Sequence, residues 1–338
     1  MDSNITVEST DKCMAKLRHD VKDDLKKLSE LKFGRGFLQV IFDWSLIIGS
    51  IALAKSTETI FTTLMALFII GSRQHALLSL MHESAHFRLF KSRFWNDAIG
   101  NLFAAYPIFW DMYGYRENHF QHHKYVNTEK DPDWQRKVDH PDWKFPNSKD
   151  YVRRLFARYL YGFALLENFR FSLVMSGHWP AQKLQRKGQI PTLLQKLLYY
   201  GAIVGALAYA GALTEFAVYW LIPYYFIFPF IQKFRSIAEH FALPYTHELN
   251  QTRNVITNPI EAFFFGPHNL NYHLDHHLFP TVPNYNLPAF NKILKQHDTY
   301  QRLAFHNTSY VIPSAHSVLG DLTDQGNSEQ QQVIRSAS

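Results

Sequence analysis

The sequence predicts an all-α membrane protein with four transmembrane helices in two hairpins and a histidine-rich site for two metal ions on the cytosolic side. Three observations carry that expectation. Apolar runs come in two pairs, Lys and Arg flank them asymmetrically, and eight histidines fall into three tight groups that the resulting topology places on one side of the bilayer.

Residues 1–36 are polar and charged, with no apolar stretch ending in a small-residue cleavage site, so they read as a cytosolic N-terminal segment without a secretory signal. The membrane domain is expected over 37–316. Phe37 to Ala54 is apolar apart from Gln39, Asp43 and the serines, and Ile60 to Met81 is apolar until Arg73, Gln74 and His75, giving spans of about 37–54 and 60–81. Asp43 is expected near the interface or facing a neighbouring helix. Leu102 to Trp110 is apolar but too short to span, so it reads as interfacial or re-entrant. Tyr151 to Met175 mixes arginines with aromatics in the manner of a helix lying on a membrane surface. From Leu197 to Ile231 the chain is again apolar, broken only by Gly211-Ala212-Leu213-Thr214-Glu215, which predicts a second hairpin with spans of about 197–213 and 216–232. The tail 317–338, rich in Ser and Gln, is expected to be disordered.

Eight Lys and Arg precede the first span (Lys12, Lys16, Arg18, Lys22, Lys26, Lys27, Lys32 and Arg35), whereas Lys55 stands alone between spans one and two and none lies between three and four. The positive-inside rule therefore turns both hairpin tips away from the cytosol. All three histidine groups then fall on the cytosolic side, a condition that any shared metal site must meet.

Composition narrows the classes. Although 46% of residues are hydrophobic, mean hydropathy is only −0.23 because long polar loops are averaged with a few apolar runs, so local windows decide the membrane reading. The single Cys13 excludes an internal disulfide, a zinc ribbon and a Cys-ligated iron–sulfur cluster within this chain, so electrons for any redox step must come from elsewhere. A net charge of +6 is not organised into a basic run with interleaved aromatics, and no nucleic-acid partner is expected.

The groups are His82 and His86 in His-Glu-Ser-Ala-His, His119, His122 and His123 in His-Phe-Gln-His-His, and His273, His276 and His277 in His-Leu-Asp-His-His. Neutral imidazole is a ligand for Fe, Zn, Cu or Ni, and offsets of three and four residues place rings on one face of a helix. One ion needs about four protein ligands, so eight histidines point to two ions. His82-Glu83-x-x-His86 also matches the zinc metalloprotease signature, in which the glutamate is the general base. That reading needs one further ligand and leaves the two repeated His-x-x-His-His groups without a role. A non-catalytic membrane scaffold is the remaining alternative, and intact histidine groups weigh against it.

The three groups and their flanks, Met81-His82-Glu83, Asn118-His119 through Lys124-Tyr125, and Asn271-Tyr272-His273 through Leu278-Phe279-Pro280, resemble the histidine boxes of the membrane-integral fatty acid desaturase and hydroxylase superfamily. The resemblance runs from about Phe37 to Pro288. It implies a four-span fold whose cytosolic helical cap holds two Fe ions (Fe2+/Fe3+) on the eight box histidines, with O2 as co-substrate. It implies a lipid or acyl-chain substrate, desaturation or, with the same site, hydroxylation or ketolation of a lipid or carotenoid, and an external electron donor such as ferredoxin or cytochrome b5 with its reductase. The superfamily also recruits a histidine after the fourth span, a place that His240 fits. His268 is a candidate ligand whose expected role is structural, and His247 and His75 are weaker candidates. Glu83, Glu117, Asn118, Asp131, Glu239, Asn271 and Asp275 are candidates for orienting the imidazoles. Two departures bear on the substrate. Box one has three residues between its histidines where animal acyl-CoA desaturases have four, which places the chain nearer acyl-lipid and sphingolipid desaturases and carotenoid-modifying oxygenases. The arrangement of soluble acyl-chain oxidases, two irons held on Glu and Glu-x-x-His ligands in a bundle, is missing, as is a fused cytochrome b5 motif of the His-Pro-Gly-Gly kind. The aromatics Tyr106–Trp110 and Tyr219–Phe230 are expected either to line a substrate tunnel or to serve packing and interface anchoring.

Overall fold

The structure, a computed structural model, describes residues 7–175, 192–314 and 316–323. The chain divides into two units, one formed by residues 33–119 and 156–232 and the other by residues 1–32, 120–155 and 233–338.

The first unit holds the apolar helices. Arg35–Thr57 and Ile60–Ala85 form a tight hairpin, in which Glu58 takes a left-handed φ of 53° to end the first helix and the Thr59 hydroxyl accepts the Thr62 N–H to start the second. Along the first helix the buried positions are Gly36, Val40, Asp43, Ile47, Ser50 and Ala54, a stripe of alternating four- and three-residue steps that packs on its partner. Leu38, Ile41, Phe42 and Ile48 point outward and are at least half exposed, an apolar surface suited to lipid. Gly71 belongs to the same packing, because a Cβ there would lie 2.5 Å from Cγ2 of Ile227. Asp43 does face its neighbour helix, accepting a bond of 3.0 Å from Arg73, and both side chains are shut off from solvent.

Three helices are long and apolar enough to cross a membrane: Arg35–Thr57, Ile60–Ala85 and Leu213–His240, with Leu193–Tyr209 a shorter apolar helix. Three expected boundaries change. The second helix continues past residue 81 to Ala85 and carries His82, since no Gly or Pro lies between 81 and 85. The third ends at Tyr209, short of 213, where Gly211 turns the chain at φ +65°. The fourth runs on from 232 to His240, passing through a π-helical turn at Ala217–Leu221 and Pro229 without breaking. Leu102 to Trp110 is a π turn followed by a 3-10 turn, with Leu102 and Phe103 exposed and Tyr106, Ile108 and Trp110 buried. The aromatics at Tyr106–Trp110 and Tyr219–Phe230 pack on one another: Phe109 meets Tyr224 edge-on, Trp110 meets Phe228, and the Trp220 indole donates to the Pro107 carbonyl at 2.9 Å. The surface-helix segment forms two helices, Lys149–Leu160 and Leu165–Met175, and the turn between them exposes Tyr161 and Phe163.

The second unit has its own core, in which Met14 and Leu17 of the helix Val7–Asp20 and Val21 just after it pack with Leu249, Leu274, Phe279, Val282, Leu287, Phe290 and Tyr300. Asn254–Val255 and His306–Asn307 form a two-residue parallel ladder. The expectation of disorder from residue 317 is corrected at its start. Val318 and Leu322 are buried in a short helix, and fully buried Arg253 reaches Asp321 at 2.7 Å, so two apolar anchors and an ion pair hold a segment whose composition is polar. The remainder of that tail, 324–338, lies outside the described residues.

Candidate metal centre

In the first unit, box one sits at the end of the helix Ile60–Ala85. His82 is in the last turn and His86 is the C-cap, four residues on and hence on the same face. The helix Met112–Tyr125 adds His119, whose Nε2 lies 2.9 Å from Nε2 of His86, and the three rings are 4.6 to 4.9 Å apart between centroids. Tyr115, one turn before His119, stacks on its ring. Arg116 holds the two elements together, donating to the carbonyls of Ala85 (2.9 Å) and Ser84 (3.0 Å) and to Asp97 (2.7 Å), with its guanidinium 4.0 Å over the Phe87 ring. It thereby supplies a donor to the Ala85 carbonyl at the helix end and a second one to the Ser84 carbonyl, which also accepts the Phe87 N–H. The sequence reading missed Arg116, and its place three residues before a box histidine was the available signal.

In the second unit, His122, His240, His273 and His277 offer ligand atoms all within 4.8 Å of one another. Nε2 of His273 lies 2.9 Å from Nε2 of His240 and 3.1 Å from Nε2 of His277. His122 is held by Asp131, which accepts its Nδ1–H at 2.9 Å, leaving Nε2 for the group. The same carboxylate accepts the N–H groups of Asn127 and Asp133, so the loop after box two is folded around it. His123 and His276 face each other through Nε2 at 3.2 Å, and the His123 ring stacks on His277. Burial, then the neighbouring His123 and His273, hold the His277 imidazole well below its ordinary pKa, in the neutral form that ligates.

The donor set fits metal. A neutral imidazole carries one N–H, yet Nε2 of His273 faces two other ring nitrogens and, at 3.3 Å, Oε2 of Glu239. One proton cannot serve that convergence, whereas a cation can. Separations near 3 Å also suit donors bound side by side at about 2.1 Å to a shared ion.

The other candidates divide. Asp275 turns away from the rings, bonded by Tyr300, Asn254 and Asn291, and burial pushes its carboxyl up to about 6 despite those bonds. At two residues from His273 it lies roughly 200° around the helix, on the opposite face. Asn271 ties box three to Val255 through its side chain and backbone. Glu83 lies 4.0 Å from Nδ1 of His82. Glu117 is exposed and bonds no ring among the described residues, which removes it as an orienting group. His268 takes a left-handed φ of 55° and joins neither group, His247 is bonded to Asn250 in a helix cap, and His75 is buried away from both.

A family model described as fatty acid desaturase matches residues 59–309. The dihydrorhizobitoxine desaturase of Bradyrhizobium elkanii is 30% identical over 288 residues, covering 82% of this chain and 81% of that protein. The chloroplastic omega-6 fatty acid desaturase of Glycine max is 23% identical over 252 residues, 70% of this chain and 54% of the relative. The sn-1 oleoyl-lipid 12-desaturase of Arthrospira platensis is 24% identical over 260 residues, 69% of this chain and 66% of the relative. The chain thus spans between half and two thirds of the length of these two acyl desaturases.

Proposed function

The chain belongs to the fatty acid desaturase family and is an oxidoreductase of the desaturase type, and from that premise we propose that it is an O2-dependent di-iron enzyme that introduces a double bond into the acyl chain of a membrane lipid. The observation that supports it best is that two sets of converging imidazoles exist, not one. His122, His240, His273 and His277 would hold one ion, and the converging His82, His86 and His119 would supply ligands to the other; His123 and His276 are further proposed ligands. The helix Met112–Tyr125 supports the division, since His119 and His123 stand one turn apart on it while His122 points about 100° from His123. A zinc protease would need only the His82, His86 and His119 set.

A bound iron pair would supply O2 activation and hydrogen abstraction from an unactivated C–H bond. The chain's residues keep the ligands neutral and correctly turned, as Asp131 does for His122 and Arg116 does for the end of box one. Removing two hydrogens yields two electrons, whereas reducing O2 to two waters takes four, so two electrons and two protons must come from outside. With Cys13 the only cysteine, this sequence holds no Cys-ligated iron–sulfur cluster of its own, and a ferredoxin or a cytochrome b5-type protein with its reductase is the donor proposed. The positive-inside count supports a cytosolic position for the site and the chain termini, with both hairpin tips facing away from the cytosol, and a membrane domain over 37–316.

A second substrate reading, a double bond placed in a dihydrorhizobitoxine-like molecule, is supported by the 30% identity and matching length of that relative. Expression in a host lacking desaturases, followed by mass spectrometry of lipids and small molecules, tests both. A new alkene in lipid supports the first, a new alkene confined to polar extracts the second, and a new alcohol or ketone replaces desaturation with hydroxylation or ketolation. His122→Ala and His276→Ala should abolish product while the protein still inserts. Full activity of both would refute the metal site, and purified protein carrying zinc alone or a single ion would refute the di-iron reading.

A further inference from the structure

Glu239 immediately precedes His240 on the helix Leu213–His240 and is 3% exposed. One carboxylate oxygen, Oε1, accepts the Arg235 Nε–H at 2.5 Å, one turn earlier on the helix, which fixes how the carboxylate is turned. The other, Oε2, lies 3.3 Å from Nε2 of His273. That nitrogen points into the four-imidazole group, because Nε2 of His240 and Nε2 of His277 face it at 2.9 and 3.1 Å. A carboxylate that merely orients a metal-binding histidine contacts the nitrogen turned away from the metal, as Asp131 does on Nδ1 of His122. Glu239 is on the inner side.

We infer that Glu239 is a further ligand of the ion held by His122, His240, His273 and His277, supplying through Oε2 a carboxylate oxygen to an otherwise all-nitrogen set. The assignment rests on the dinuclear reading above. Once His273 gives its Nε2 lone pair to a cation it has no proton there for Glu239, so the carboxylate then faces the cation itself. Charge favours the arrangement. Imidazole ligates in its neutral form, Asp131 is engaged outside the set and Asp275 faces away, so the Glu239 carboxylate is the group among the described residues placed to offset a buried divalent ion at contact distance. Arg235 holds the far oxygen and stops the carboxylate from rotating out.

The test uses full-length protein in detergent, stripped of metal and titrated with Co2+, read by metal analysis and by the visible absorption of bound cobalt. Wild-type protein should take up two ions. Glu239→Gln should keep its content of histidines and its insertion but bind one of the two ions 10- to 100-fold more weakly, with a changed cobalt spectrum for that ion; Glu239→Asp, one methylene shorter, should retain part of the affinity with a shifted band. Wild-type affinity and spectrum in both variants would overturn the assignment while leaving the dinuclear site intact. Wild-type protein that takes up no cobalt would overturn the dinuclear reading and this assignment together. If Glu239→Gln fails to fold, an unshifted Glu239→Asp spectrum alone overturns the inference.

Discussion

Replacing Asp131 tests how much of the metal affinity resides one bond outside the ligands. Its two oxygens accept three N–H groups, with His122 Nδ1 and Asn127 N on Oδ2, both at 2.9 Å, and Asp133 N on Oδ1 at 2.8 Å. Asparagine has one oxygen to offer. With that oxygen toward His122 and Asn127, the amide NH2 meets the Asp133 N–H and one cap bond is lost, at a cost of about 1 kcal/mol. The flipped amide would set NH2 against two donors and is worse. In the better rotamer His122 keeps a neutral acceptor in place of a charged one, roughly halving the strength of that bond. Asp131→Asn should therefore weaken binding of one ion by about 10-fold, and Asp131→Ala, which leaves Nδ1 with no acceptor, by about 100-fold. At about 1.4 kcal/mol per decade these are losses of roughly 1.4 and 2.8 kcal/mol. Titration against a chromophoric chelator reads both ions separately. Unchanged affinity in both variants would refute the view that Asp131 sets the tautomer and aim of His122.

Arg73→Met should destabilise the apolar unit by about 3–5 kcal/mol because it leaves Asp43 charged and buried, and Asp43→Leu in the same chain should recover most of that; thermal unfolding in detergent measures it, and simple additivity of the two losses would contradict the pairing. Gly71→Ala forces a methyl group against Ile227 and should cost about 1–3 kcal/mol in the same assay. Glu261 accepts the backbone N–H groups of Tyr310, Val311 and Ile312. Burial alone would raise its pKa, but the Thr257 hydroxyl and those N–H groups outweigh burial and hold it below the usual carboxylate range. A carboxylate lowered on folding stabilises above its unfolded pKa of about 4.3, and that contribution is lost as pH falls through the lower folded value. Protection factors for amide exchange at residues 310–312 should thus stay high at neutral pH and fall only under acid, whereas Glu261→Gln should lower them already at neutral pH; equal protection in both proteins would contradict the reading.

Much of this protein was legible in one dimension because the signals are local. Apolar runs give the apolar helices, and histidines at offsets of three and four residues mark candidate metal ligands, since a 3.6-residue repeat alone puts their rings on one helical face. Less legible were the ends of helices. His82 was expected beyond its span and His240 beyond the last, yet both lie within helices that continue because no breaker stops them. The polar stretch after Ser317 gives no local hint that Val318 and Leu322 are buried and that Asp321 is held by an arginine distant in sequence.

Sequence could name Asp131, Glu239 and Asp275 as carboxylates near the histidine groups but could not rank them. Glu239 and Asp275 each adjoin a histidine, and neighbouring residues on a helix diverge by about 100°, while Asp131 lies in the loop after box two, so the direction of each side chain depends on what packs across from it. Tertiary structure sends Asp275 outward to Tyr300 and Asn291, sets Asp131 behind His122, and turns Glu239 inward onto His273. The sequence by itself determined which residue types can grip metal and on which helical faces they lie. Only the fold decided which rings share a group and through which nitrogen, because those contacts join segments up to 153 residues apart, beyond the reach of any local repeat.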